Sequence, residues 1–106
     1  MITIEELEKE LGIDREDVVE FVSVFLDYTE NEDLPGLLDG INSGDALVVK
    51  RRAHSIKGAA LNLMLPEISS LAEEMEKKAG EGNLDDSPEL YSSIVDAMKL
   101  VKQNLV

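Results

Sequence analysis

The sequence predicts an all-α chain: an antiparallel four-helix bundle preceded by a short additional N-terminal helix. Three observations point there. Apolar residues recur at spacings of three and four along most of the chain, no alternating run is long enough for a strand, and the breaks between apolar stripes are short. The 106 residues suffice for one core, so residues 1–106 are expected to form a single domain. Hydrophobic residues make up 43% of the chain and aromatics only 4%, with no Trp, so Leu, Ile, Val, Ala and Met must fill that core.

The elements follow in order. Thr3-Ile4-Glu5-Glu6 has the Thr-x-x-Glu form of a capping box, with Ile4, Leu7 and Leu11 on one face and Gly12 as a stop. Asp14 is placed to cap a second helix, in which Val18, Phe21, Val22, Phe25 and Tyr28 recur at helical spacing. Pro35 is tolerated in a first helical turn, so a break is expected near residues 29–31, before a helix carrying Leu34, Leu37, Leu38 and Ile41. Asn42-Ser43-Gly44-Asp45 reads as a turn with a capping residue. The helix it launches should stop near Leu63, because Pro66 disfavours helical geometry at Leu65. Leu65, Ile68, Leu71, Met75 and Ala79 mark the next helix, ended by Gly80-Glu81-Gly82-Asn83. Ser87 then serves as an N-cap with Pro88 at the first helical position, and Tyr91, Ile94, Met98, Val101 and Leu105 line the last helix.

Charge and composition exclude several functions. The net charge of −13, from 23 acids against 10 bases, repels nucleic acid and anionic lipid, so neither is an expected partner. The amino terminus lacks the basic start and apolar run of a signal peptide, and no segment is long enough to span a bilayer. With no cysteine there are no disulfides or thiolate sites, which suits a cytoplasmic protein. No Gly-rich nucleotide loop occurs, so a kinase or other enzyme is not expected.

Against this acidic background, Lys50, Arg51, Arg52 and Lys57 lie within eight residues and surround the only histidine, His54. Ala46, Val49, Ala53, Ile56, Ala60 and Leu63 form the apolar stripe of that helix. At about 100° per residue, His54 falls roughly 140° from the stripe's centre, facing water. That position argues against a buried structural histidine. A metal site needs three or four donors, and the chain has no second His and no Cys. A phosphoryl acceptor explains the neighbours, because neutral imidazole is a good nucleophile whose phosphorylated form can pass the group on. Lys57, at i+3, can offset a phosphate charge of about −2. Gly58, at i+4, costs about 1 kcal/mol relative to alanine inside a helix. On the outward face it opens a path for a partner's backbone. Leu47 and Leu61 bracket His54 on the same face and, with Lys50 and Arg51, are the expected partner-binding residues.

The run Ala53-His54-Ser55-Ile56-Lys57-Gly58-Ala59-Ala60-Leu61-Asn62-Leu63 closely resembles the signature of histidine-containing phosphotransfer (HPt) domains. Phe21 to Asp45 resembles that family's preceding helices, and Leu71 to Glu76 with Gly80 to Leu84 its following helix and turn. The resemblance implies a monomeric four-helix bundle in a two-component phosphorelay. His54 would take a phosphoryl group from a receiver-domain aspartate, or from a kinase, and give it to a response-regulator receiver. Lys57 would be the charge partner and Gly58 the clearance residue. The chain itself would need no cofactor, with magnesium supplied by the receiver. One departure is Met64, where members often have glycine; a left-handed residue there would cost about 1 kcal/mol without glycine. Two alternatives remain at this point: a helical interaction module that is never phosphorylated, and the phosphoacceptor domain of a chemotaxis-type histidine kinase. Met1 and the capped first helix favour a free-standing protein.

Overall fold

The computed structural model describes residues 4–104; Thr3 of the expected capping box and Leu105 of the last apolar stripe lie outside them. The described residues form helices and turns with no strand. They comprise α1 (Ile4–Leu11), α2 (Arg15–Tyr28), α3 (Leu34–Ser43), α4 (Ala46–Asn62), α5 (Pro66–Gly80) and α6 (Ser87–Asn104). α4 is central: it packs most extensively on α5 and also on α3, while α6 packs on α5 and touches α3. α1 lies against α2. The stem of Lys50 runs beside Gly80, whereas Lys57 pairs with Glu76. Moving up α4 therefore means moving down α5.

The expected break near residues 29–31 does not exist. Thr29–Asp33 forms a π-helical turn that joins α2 to α3 without interruption. Its signature is the Leu34 N–H donating to the Thr29 carbonyl, five residues back. In a regular α-helix the Pro35 ring would press on the carbonyl of Asn31. A turn widened by one residue relieves that contact, so proline is carried through. The wide turn also leaves Thr29 and Asp33 both buried. Counting α2, the turn and α3 as one rod, four long helical runs follow the short α1.

The core is aliphatic, as the composition requires. Val18, Leu37, Val49, Ile56, Ile68, Met75 and Ile94 are all fully or almost fully buried. The stripe on α4 is as expected, with Val49, Ala53, Ile56 and Ala60 fully inside and Leu63 nearly so. α2 departs from expectation: Val18, Val22 and Phe25 are buried, but Phe21 and Tyr28 are each 52% exposed and Leu26 is buried instead. Phe21, Val24 and Tyr28 form a second stripe about 100° around the helix. They line a groove of about 530 Å³ whose far wall is α4, rather than entering the core. Leu38 of α3 is likewise exposed.

Three helix ends share one hydrogen-bond pattern. After α3, the Asp45 N–H reaches the Gly40 carbonyl at 2.8 Å and Gly44 takes φ 71°. After α5, Asn83 reaches Lys78 at 2.9 Å with Gly82 at φ 76°. After α4, Leu65 reaches Ala60 at 2.9 Å, but the left-handed residue is Met64, at φ 55°. The steric cost of a side chain there is about 1 kcal/mol. The 6→1 bond and burial of Leu65 oppose it, and Pro66 forbids the helix from continuing. At the start of α4 the Asp45 carboxylate accepts from the Val48 N–H at 3.2 Å, the expected cap. Asp14 makes no such side-chain bond. Ser87 is the first residue of α6 rather than its cap: Leu90 N–H donates to the Asp86 carbonyl, so Pro88 falls at the second position.

Candidate functional site

The apolar stripe of α4 fixes what faces away from the core. His54 is on the outer face with 67% of its side chain exposed. Across the α4–α5 seam stands Glu76, one residue beyond buried Met75 and so at the edge of α5's own apolar stripe. Its Oε2 lies 2.7 Å from His54 Nδ1, and its Oε1 accepts from Lys57 Nζ at 2.7 Å. One carboxylate thus holds both residues. The Lys57 bond draws the Glu76 carboxyl below its usual range; partial burial opposes it, and the bond from His54 adds a smaller pull in the same downward direction. The same bond to Glu76 raises the Lys57 ammonium.

An ionised carboxylate can only accept, so Nδ1 carries the imidazole proton. In the neutral ring the lone pair is then on Nε2. That nitrogen has no hydrogen-bond partner among the described residues. The outcome is a nucleophilic nitrogen in solvent, with the ring oriented from behind by a carboxylate.

Gly58 stands one turn after His54, and a Cβ built on it would meet nothing within 4 Å. Close helix packing therefore does not explain this glycine. Lys50 and Arg51 are exposed on the same side, as are Leu47 and Leu61, each more than half accessible. The two leucines are separated by about 21 Å along the axis, at 1.5 Å per residue. They share a face but form no single patch.

The match between this chain and the Hpt domain family model runs over residues 3–104. The chain belongs to the Hpt domain family. Hpt domains carry out histidine phosphotransfer in phosphorelays with receiver domains, as phosphocarriers rather than enzymes. No curated protein and no solved structure matches the chain. Among the described residues no helix is long and apolar enough to cross a membrane.

Within this Hpt domain the cation run does not act as one cluster. Arg52 turns away from His54 and its Nη1 pairs with Asp33 Oδ1 at 3.3 Å. Ser55 Oγ donates to the other oxygen, Oδ2, at 3.0 Å. Periodicity named His54, Lys57 and Gly58 but missed Glu76, Asp33 and Ser55. The available signal for Glu76 was a carboxylate at the edge of the apolar stripe on the helix after the histidine. Its pairing depends on interhelix register, which a single-helix pattern does not contain.

Proposed function

We propose that this Hpt domain relays phosphoryl groups through His54 Nε2, and the carrying observation is the 2.7 Å contact between Nδ1 and Glu76. The Nε2 lone pair attacks the phosphorus of an aspartyl phosphate on a receiver domain. The N–P bond forms as the acyl P–O bond breaks, and the receiver carboxylate leaves with the electron pair. The Nδ1 proton stays in place, so the phosphorylated ring is cationic and lies against the Glu76 carboxylate. Transfer to a second receiver reverses these steps. Magnesium and the acidic residues that hold it belong to the receiver in this reading.

Lys57 swings from Glu76 to the phosphate once it arrives; a lysine ammonium on a flexible stem makes that exchange easy. Gly58 leaves room for the receiver's active-site loop. The receiver rests on the outer face of α4 and extends from Leu61 across Ala59 and Asn62 to Phe21, Val24 and Tyr28, whose groove supplies apolar area. Lys50, Arg51 and Leu47 border it on the other end. The four helical runs form an antiparallel bundle in this account, the short connections at 44–45 and 63–65 favouring neighbours of opposite direction.

Incubation with a phosphorylated receiver and magnesium should place an acid-labile, base-stable phosphate on the chain, and His54→Gln should abolish it. Label retained by the Gln variant would remove His54 from the role.

A further inference from the structure

On the opposite flank of α4 from Glu76 lies a second carboxylate. Asp33 ends the π-turn, its side chain is only 2% exposed, and both of its oxygens are bound to α4. The residues it holds, Arg52 and Ser55, flank His54 at i−2 and i+1. The Arg52 guanidinium reaches Asp33 by lying along α3, where Gly36 gives it space: a Cβ there would fall 2.5 Å from Arg52 Nε. The widened turn, the glycine, the arginine and the serine thus converge on one buried group.

We propose that Asp33 is a positioning residue for His54, setting the rotation of α4 about its own axis so that Nδ1 meets Glu76. This rests on His54 being the phosphoacceptor. The lever is short. An imidazole nitrogen lies about 6 Å from the helix axis, so a roll of about 10° moves it about 1 Å. That displacement breaks a 2.7 Å hydrogen bond. It also spoils the alignment of Nε2 for in-line attack, where an error of about 1 Å can cost about 100-fold. Glu76 alone cannot fix the roll, because its grip on His54 joins a flexible glutamate stem to an imidazole that is 67% exposed. Asp33 grips in the interior, and one of its two partners is a short serine whose hydroxyl follows the backbone closely.

The test reads His54 before any phosphate is present. Nitrogen-15 NMR of the imidazole should show mainly the Nδ1–H tautomer in the parent chain. Asp33→Ala should shift the ring toward the Nε2–H tautomer favoured by free imidazole side chains and slow transfer from a phosphorylated receiver about tenfold or more. Ser55→Ala should do the same more weakly. Asp33→Asn, which can still accept from Ser55, should keep most of the parent tautomer. Gly36→Ala should displace only the Arg52 guanidinium and give an intermediate shift. If Asp33→Ala fails to fold, Ser55→Ala and Gly36→Ala carry the measurement. An unaltered tautomer ratio and transfer rate in the folded variants, with only melting temperature reduced, would overturn the proposal and leave Asp33 a structural residue. A tautomer shift in a chain that never accepts phosphate would instead count against the phosphoacceptor role of His54 while leaving the positioning intact.

Discussion

The two flanks of α4 each carry a carboxylate that holds two side chains, and they differ mainly in their access to water. Glu76, its side chain 17% exposed, binds His54 and Lys57 at 2.7 Å each along the rim of the α4–α5 seam. Asp33, whose own side chain is only 2% exposed, binds Arg52 and Ser55 at 3.3 and 3.0 Å. Exposed ion pairs contribute little stability, because water competes for both partners and the side chains lose freedom on pairing. Such a pair can open and re-form around an incoming phosphate at small cost. A buried carboxylate that loses its partners has no water to replace them. The shorter contacts are therefore the more dispensable ones for folding. Distance alone misleads here; burial decides which flank anchors and which exchanges.

The largest effect should come from the buried flank. Asp33→Ala removes a buried acceptor and strands Arg52 and Ser55. Since Arg52 is itself 36% exposed and can turn to water, the loss should be about 2 to 3 kcal/mol rather than the upper range for a fully buried pair. Urea denaturation measures it; a loss no greater than that of Glu76→Ala would erase the contrast between the flanks.

Next in size is Gly58, on the exposed face. A Cβ there meets open space, so Gly58→Ala should raise stability by about 1 kcal/mol through helix propensity. Gly58→Leu should retain the helical circular dichroism yet slow phosphoryl transfer by obstructing the receiver. Stability and transfer moving in opposite directions would identify this glycine as kept for access. Unchanged transfer in the Leu variant would show that nothing approaches along that path.

The smallest effect belongs to Glu76, and pH exposes it. Its carboxyl titrates below the ordinary 4.5 when folded. The ionised form is thus favoured by folding, its contribution is present above pH 4.5, and it is lost as pH falls through the lowered folded value. Glu76→Gln removes that titration. The melting-temperature gap between parent and variant should be small at pH 7 and close as acid is added. A gap that persists well below pH 4.5 would mean that Glu76 acts by packing rather than charge.

What was legible in the sequence was local. The three-and-four spacing of Val49, Ala53, Ile56 and Ala60 placed those residues inside and His54 outside. Gly44 and Gly82 marked the turns they occupy, and Pro66 the start of the helix it opens. Each of these depends on backbone preferences within a few residues, which sequence order carries directly. Aromatic Phe21 and Tyr28 misled for the same reason: helical spacing gives a face, but whether another helix covers that face is a question of packing. Met64 also shows the limit. Its left-handed φ follows from the stop enforced by Pro66 and the bond from Leu65 to Ala60, not from its own preference.

Tertiary structure decided the partners. Glu76 meets His54 and Lys57 because α5 runs back along α4 in one register; a shift of one residue would rotate that carboxylate by about 100°. Asp33 reaches Arg52 and Ser55 because the helix widens at Thr29–Asp33 instead of breaking. Side-chain periodicity fixes the direction each helix faces, since it is a property of one chain segment. The roll and register between segments come from the fit of several surfaces at once. Sequence alone therefore placed the histidine in water, and the fold supplied the carboxylate beside it and the one on the opposite flank of its helix.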